Sequence, residues 1–293
     1  MKCMVIGSKH FGKKNNPRIF AEKTGADLYF WEDLVLDIKT NAVRVLFNGE
    51  NILEKGYKLA ICMGWYKNGE RSIYRDLAYA VAKAFDAVGI EYWNKEMGDQ
   101  RSITKLSQMT IMALNGVNVP ATRFSLSGKQ LVLGLVEGEK YVVKAVAASR
   151  GCNNYCVSSL LEVEDIIDGS TLPFLVQEFI PNDHDLRVIC FGGEPKLVLK
   201  RSRTSNDTHL NNTSQGGTAE WIDLDPALAE NARKISKLLG REMGGIDFIE
   251  VENLDNGGKM YYCLEINAIP QLTSGTDVER KMAALIETVN GLE

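Results

Sequence analysis

The sequence predicts a chain of mixed α/β and α+β class. It should hold a small N-terminal α/β domain over residues 1–100, a small central subdomain over 101–170 and a larger C-terminal antiparallel-sheet subdomain over 171–293. Three observations lead there. A helical apolar repeat over residues 71–88 stands among short runs that read as buried strand. Beyond Gly116 the period shortens, and strands separated by small polar turns take over. In the tail, Gly245-Ile246-Asp247 and Leu264-Glu265-Ile266-Asn267 thread oxygen-bearing side chains through two otherwise apolar strands.

Taken in order, Cys3 to Gly7 reads as a first buried strand, with apolar pieces at Leu28 to Trp31 and Val43 to Phe47 and a further strand at Leu59 to Gly64. A helix over Arg71 to Val88 carries Ile73, Leu77, Ala80, Val81, Ala84 and Val88 at near-helical spacing, and Gly89 closes it. A second amphipathic helix over 101–115 presents Ile103, Leu106, Met109, Ile111 and Leu114 and ends at Gly116. Strands follow at Tyr141 to Ala145 and Tyr155 to Val157, around a small polar loop from Ser149 to Asn154. After residue 170 come strands at Phe174 to Phe179, Leu186 to Phe191, Lys196 to Lys200 and Glu220 to Asp223. A helix from Pro226 to Leu239 has Asp225 as its cap and Pro at a tolerated first-turn position. The two tail strands and a helix from Asp277 to Val289 complete the chain.

With 293 residues, 45% of them hydrophobic and 25% charged, this is the composition of an ordinary globular protein of two or three lobes. A formal net charge of −4 excludes a nucleic-acid binder working through a general basic surface, yet it allows a local basic cleft for phosphates. The six cysteines form no Cys-x-x-Cys pair and read as reduced thiols of a cytoplasmic protein. Residues 1–7 are too short for a signal-peptide core, and no run approaches the ~20 apolar residues of a membrane span.

The chemistry-bearing residues are Asp247, Glu265 and Asn267. Strand periodicity puts Glu265 and Asn267 on one face with Ile266 on the other. With Asp247 from a neighbouring strand they offer three hard oxygen donors, the preference of Mg²⁺ in nucleotide sites. On these residues alone, an exposed polar face of a half-buried sheet is an equal reading. Lys144 lies between Val143 and Ala145 in a strand, where an ammonium needs an anion or a route to solvent. The small loop after it has free backbone N–H groups of the kind that hold phosphates. Gln177-Glu178-Phe179-Ile180 ends a strand before Pro181 and leaves backbone groups able to read an adenine edge. Lys200-Arg201-Ser202-Arg203 precedes an Asn/Ser/Gly segment from Asn211 to Gly217, a set suited to phosphoryl and carboxylate oxygens or to a plain basic surface.

In this order the pieces resemble the RimK-like ligases of the ATP-grasp superfamily, from about Ser102 to the C-terminus. The pieces that carry the resemblance are Lys105 with Gly116 to Thr122, Val142-Val143-Lys144, Gln177 to Ile180, Asp185-Leu186-Arg187-Val188, Arg201 with Asn212 to Gly217, and the two tail strands with Pro270. The resemblance implies an ATP-grasp fold with an N-terminal pre-grasp domain and a central lid. It implies that Lys105 and Lys144, with Arg150 and Gly151 of the loop, contact ATP phosphates. Gln177, Glu178, Phe179 and Ile180 would form the hinge around adenine, and Asp185 would lie near the ribose or the substrate edge. Arg201, Arg203 and Asn212 would face the transferred phosphoryl group. Asp247, Glu265 and Asn267 would hold two Mg²⁺ ions, or Mn²⁺ in their place. Two departures stand out: the loop has only Gly151 where the family has two or three glycines, and Ala268-Ile269-Pro270-Gln271 replaces the family's Pro-Gly.

The implied activity is carboxylate–amine ligation through an acyl phosphate, on an amino acid, peptide or protein, with ADP and phosphate released. The implied assembly is a homo-oligomer, a dimer or tetramer, with no nucleic acid or membrane partner. Two other classes stay open: a small-molecule kinase of the same architecture, and a nucleotide-binding regulatory module without catalysis.

Overall fold

The computed structural model describes residues 1–9, 16–64, 71–99, 104–146, 153–204, 211, 217–253, 257–272 and 275–292. Arg150, Gly151 and Asn212 lie outside the described residues, as does most of the loop after Lys144.

The first lobe begins with β1 (Cys3–Gly7), α1 (Asn16–Thr24), β2 (Asp27–Phe30), β3 (Val35–Lys39), β4 (Ala42–Phe47), β5 (Glu50–Asn51), β6 (Leu59–Cys62), α2 (Arg71–Val88) and β7 (Glu91–Trp93). Strands β2-β1-β6-β7 make a parallel sheet, and β3-β4-β5 an antiparallel one beside it. All five residues of β1 are buried, as its unbroken apolar run requires of a strand covered on both faces. Helix α2 spans the residues its period predicts. Ala78, Val81, Ala82, Ala84 and Phe85 are its buried stripe; Val81 and Ala84 fall where expected and Leu77 packs against the same core, whereas Val88 is exposed. Alanines at 78 and 82 let the helix approach the sheet, and Phe85 fills the core beside them.

The second part contains α3 (Lys105–Leu114), β8 (Thr122–Phe124), α4 (Gly128–Val132), β9 (Tyr141–Ala145), β10 (Asn154–Val157), α5 (Leu160–Asp168) and β11 (Phe174–Glu178). The strands pair antiparallel in the order β10-β9-β11-β8. Strand β11, read in the sequence with the C-terminal strands, is thus hydrogen-bonded to β9 and β8 instead. Helix α5 falls in residues to which the sequence reading gave no element. Its signal was Ser159 with Glu162 three residues on, a start signature, and the Ser159 hydroxyl accepts from the Glu162 N–H at 3.5 Å. In α3 the inner face is Lys105, Gln108, Met109 and Met112, while Leu114, expected on that face, is 80% exposed.

The third part contains β12 (His184–Phe191), β13 (Glu194–Ser202), β14 (Thr218–Ile222), α6 (Pro226–Leu239), β15 (Gly244–Asn253), β16 (Gly258–Asn267) and α7 (Val278–Asn290). Its five strands are antiparallel in the order β14-β13-β12-β15-β16. Asp225 caps α6, accepting from the N–H groups of Ala227 at 2.9 Å and Leu228 at 3.1 Å. Gly240 ends that helix at φ 59°, a left-handed position that favours glycine.

One face of this sheet packs on α3 and α6 through Leu186, Val188, Val198, Ile246, Phe248 and Ile266. Each such fully buried side chain contributes about 1.5–3 kcal/mol. The other face is apolar where Ile189, Phe191 and Met243 meet α7 and the first lobe at Val5, Phe20 and Trp93. The rest of it is polar. Buried Asn94, after β7, ties the first lobe to this sheet. Its amide donates to the carbonyls of Met243 at 3.0 Å and Ala268 at 3.1 Å and accepts from the Met243 N–H at 2.6 Å.

Candidate active site

The polar part of that sheet face is assembled by register. Arg187 pairs with Asp247 across β12 and β15, Asp247 with Glu265 and Gly245 with Asn267 across β15 and β16, and Asp185 with Arg201 across β12 and β13. Directly paired residues of antiparallel strands share a face, so these charged side chains converge. A bulge sharpens the arrangement: Asp247 opposes Glu265, but the next residue, Phe248, opposes Cys263. The extra residue, Leu264, lets Cys263 enter the apolar core while Glu265, two positions on, faces the cleft.

Arg187 grips Asp247 with two hydrogen bonds, Nε to Oδ1 at 2.7 Å and Nη2 to Oδ2 at 2.6 Å. Arg201 donates from Nε to Asp185 Oδ1 at 2.5 Å and reaches Asp247 Oδ1 with Nη2 at 3.1 Å. Burial disfavours the charged form of Asp247, but Arg187 and Arg201 outweigh it and hold its carboxyl below the usual carboxylate range. For Asp185 burial prevails over Arg201 and, with Asp247 nearby, moves the carboxyl up. Glu265 accepts from the Asn267 amide at 3.0 Å through Oε1 and pairs with Lys105 at 3.2 Å through Oε2.

These contacts leave donors for a cation. Three of the roughly four lone-pair positions of the Asp247 carboxylate are engaged, with one on Oδ2 remaining. The Asn267 amide directs its nitrogen at Glu265, which frees its carbonyl oxygen. Two carboxylates and an amide oxygen on one face are a set of hard donors that fits Mg²⁺.

Lys144 lies in β9, between Asn154 of β10 and Leu175 of β11. It is 8% exposed, and its side chain makes no hydrogen bond or ion pair among the described residues. Burial lowers its pKa to about 8, partly offset by Glu265 and reinforced by Lys105. Two lysines are therefore held close enough to repel, one of them buried, an arrangement that an anionic group placed between them relieves.

At the strand end expected to form the hinge, the Glu178 side chain accepts from the Ala121 N–H at 2.9 Å while its own N–H donates to the Ala121 carbonyl at 3.0 Å. The Phe179 N–H donates to the Lys140 carbonyl at 3.2 Å, and the Ile180 carbonyl accepts from Asn182 at 2.8 Å. The buried amide of Gln177 is committed to Thr122 Oγ1 at 2.8 Å and Met109 Sδ at 3.4 Å. Arg203 follows β13 and is half-buried.

The sequence reading named Arg187 within a motif but gave it no role. Its signal was strand alternation, since Arg187 lies two residues from Asp185 and must share its face. Lys281 was missed altogether. It is 3% exposed on α7, donates to the Gln271 carbonyl at 2.7 Å and lines a cleft with Arg187, Arg201, Pro270, Gln271 and Thr276. Burial lowers its pKa to about 8, with Arg187 adding to the effect. Only the tertiary fold brings α7 to this strand face.

Comparison with known proteins agrees with this geometry. The RimK-like ATP-grasp domain matches residues 102–286. A "Probable alpha-L-glutamate ligase" of Trichodesmium erythraeum (strain IMS101) is 28% identical over 220 residues, covering 71% of each chain. One from Halorhodospira halophila (strain DSM 244 / SL1) is also 28% identical over 220 residues, covering 71% of this chain and 70% of its own. Among solved structures, the ATP-grasp ligase PsnB complexed with minimal precursor superposes with a TM-score of 0.70 at 16% identity, covering 98% of this chain and 99% of its own. The macrocyclase MdnC from Microcystis aeruginosa MRC, bound with precursor peptide MdnA, gives 0.64 at 14% identity, covering 99% of this chain and 100% of its own. The described fold is that of the ATP-grasp ligases.

Proposed function

The chain belongs to the RimK-like ATP-grasp family of C–N bond-forming ligases, and on that premise we propose that it activates a carboxylate as an acyl phosphate and joins it to an amine. In the first step a carboxylate oxygen attacks the γ-phosphorus of ATP; the new O–P bond forms as the bridge to the β-phosphate breaks, and ADP leaves. In the second, the amine nitrogen attacks the acyl carbon, the C–O bond to phosphate breaks and phosphate departs, while the nitrogen loses its proton to the medium. Such chemistry depends on positioning and charge stabilisation more than on a protein nucleophile.

The observation that carries the proposal is Lys144, an ammonium buried without a partner among the described residues, beside Lys105 and the Asp247–Glu265 pair. A buried cation so placed awaits an anion, and ATP phosphates are the family's anion. In this reading Lys105 and Lys144 hold phosphates, and the backbone from Glu178 to Ile180 borders adenine. Arg201, with Arg203 beyond it, faces the transferred group. Asp247, Glu265 and Asn267 hold Mg²⁺, two ions in our reading. Bound there, Mg²⁺ supplies neutralisation of the charge that gathers on the phosphate oxygens during transfer. Asp185 acts one step removed, by orienting Arg201.

The names of the curated relatives supply glutamate as the first amine to try, and the precursor complexes of the structural neighbours supply a peptide carboxylate as the first acceptor. The test is ADP and phosphate release by the purified protein with Mg²⁺-ATP, across amino acids and peptides. We expect both products in equal amounts, dependent on a carboxylate and an amine together. Glu265→Gln should lower the rate by at least ~10²- to 10³-fold with an unchanged melting curve. AMP with pyrophosphate would reject the acyl phosphate, and ADP without free phosphate would leave a kinase.

A further inference from the structure

Gln108 is a polar residue on the buried face of α3, 4% exposed, between Lys105 and the apolar Met109 and Met112. Its amide makes two hydrogen bonds to one residue. Nε2 donates to the Ile266 carbonyl at 3.1 Å, and Oε1 accepts from the Ile266 N–H at 2.9 Å. Ile266 stands between Glu265 and Asn267 on β16. Its N–H belongs to the peptide plane that begins at Glu265, and its carbonyl to the plane that leads into Asn267. Strand β15 lies on the other side of β16, so both groups point away from the ladder, as in a non-hydrogen-bonded pair with Ile246. Arg241 also donates to the Ile266 carbonyl, and its guanidinium is held by Glu96 at 2.9 Å.

We propose that Gln108 is a positioning residue for the cation site: its amide clamps the two peptide planes from which Glu265 and Asn267 project, and so sets the separation of their oxygens. The inference rests on the reading of Asp247, Glu265 and Asn267 as cation ligands. Lys105, one turn earlier on α3, pairs with the Glu265 carboxylate, so a single helical turn holds both the ligand side chain and the backbone beside it. Partners that orient ligands in this way are worth about 10- to 100-fold in metal affinity.

The test uses Mn²⁺ as the probe, followed by electron paramagnetic resonance with ADP present, alongside ADP binding in EDTA. Gln108→Met keeps the length and loses both hydrogen bonds; it should weaken Mn²⁺ binding by about 10- to 100-fold and leave metal-free ADP binding close to wild type. Gln108→Glu keeps the acceptor for the Ile266 N–H but sets a carboxylate oxygen against the Ile266 carbonyl, so a loss at least comparable to that of the Met variant is expected. If the Met variant does not fold, the Glu variant decides the matter by itself. Unchanged Mn²⁺ affinity in the folded variants overturns the proposal. An equal loss of Mn²⁺ and of metal-free ADP also overturns it, because that is what a displaced helix would produce. Glu265→Gln serves as the control. If wild-type Mn²⁺ binding is insensitive to it, the metal reading fails and carries this inference with it; if it abolishes binding while Gln108→Met does not weaken it, only this inference fails.

Discussion

Substituting Asp247 by Asn leaves the half-buried guanidinium of Arg187 and the buried one of Arg201 with a single carboxylate, Asp185, in contact with Arg201 alone. Breaking a buried ion network from one side costs about 3–5 kcal/mol, so chemical denaturation of Asp247→Asn should show a loss of that order besides the loss of activity. Glu265→Gln touches a more open carboxylate and should not lower the melting temperature comparably. Lys144 behaves in the opposite sense. Its folded pKa of about 8 lies below the ordinary 10.5, so the unfolded chain binds more protons between those values and stability rises with pH across that window. Lys144→Met should reduce this rise to the part that Lys281 contributes, hold or increase stability at pH 7, and weaken ATP binding by at least tenfold, about 1.4 kcal/mol. Calorimetric melting from pH 7 to 10.5 with nucleotide titration checks all three. Asp247, Glu265 and Lys144 were conspicuous in the sequence because each is a charge inside an apolar strand, and Asn267 was picked out by its alternation with Glu265. The guanidinium grip on Asp247 was less so, since it depends on which strands lie side by side.

Helix α3 shows how an element can be found in a sequence while its face is misjudged. Counting only apolar residues selected Leu114, yet the true stripe includes Lys105 and Gln108, whose polar ends have partners in β16. A site-facing helix hides its phase because its inner positions are partly polar. Met112→Ala should therefore cost about 2–5 kcal/mol, whereas Leu114→Ala should stay within about 0.5 kcal/mol, as paired urea denaturation would reveal. The bulge at Leu264 is a comparable case. Alternation alone assigns Cys263 and Glu265 to one face, and only the register with Asp247 and Phe248 separates them.

At the scale of the molecule, the strands of the C-terminal sheet and the cap of α6 could be read in the chain, because each depends on neighbours in sequence. The joining of the lobes could not. Asn94, Gln108 and Lys281 act on residues 149, 158 and 10 positions away, and nothing local distinguishes the first two from surface amides. Asn94→Ala would leave the buried backbone groups of Met243 short of a partner, at about 1–3 kcal/mol for each, and would free the half-buried Ala268 carbonyl. Hydrogen exchange at Met243 should accelerate, and ADP formation should fall because β15 and the end of β16 lose their anchor. One further consequence follows from the place of β16 as the last strand of its sheet. The Gln108 amide covers its outer side at Ile266, and the Asn118 carbonyl takes the Cys263 N–H at 2.9 Å, so an incoming strand from another chain finds these pairing groups occupied. The contacts that shape the catalytic face thereby also guard the protein against aggregation, and a lesion that frees α3 exposes the chain to both losses together.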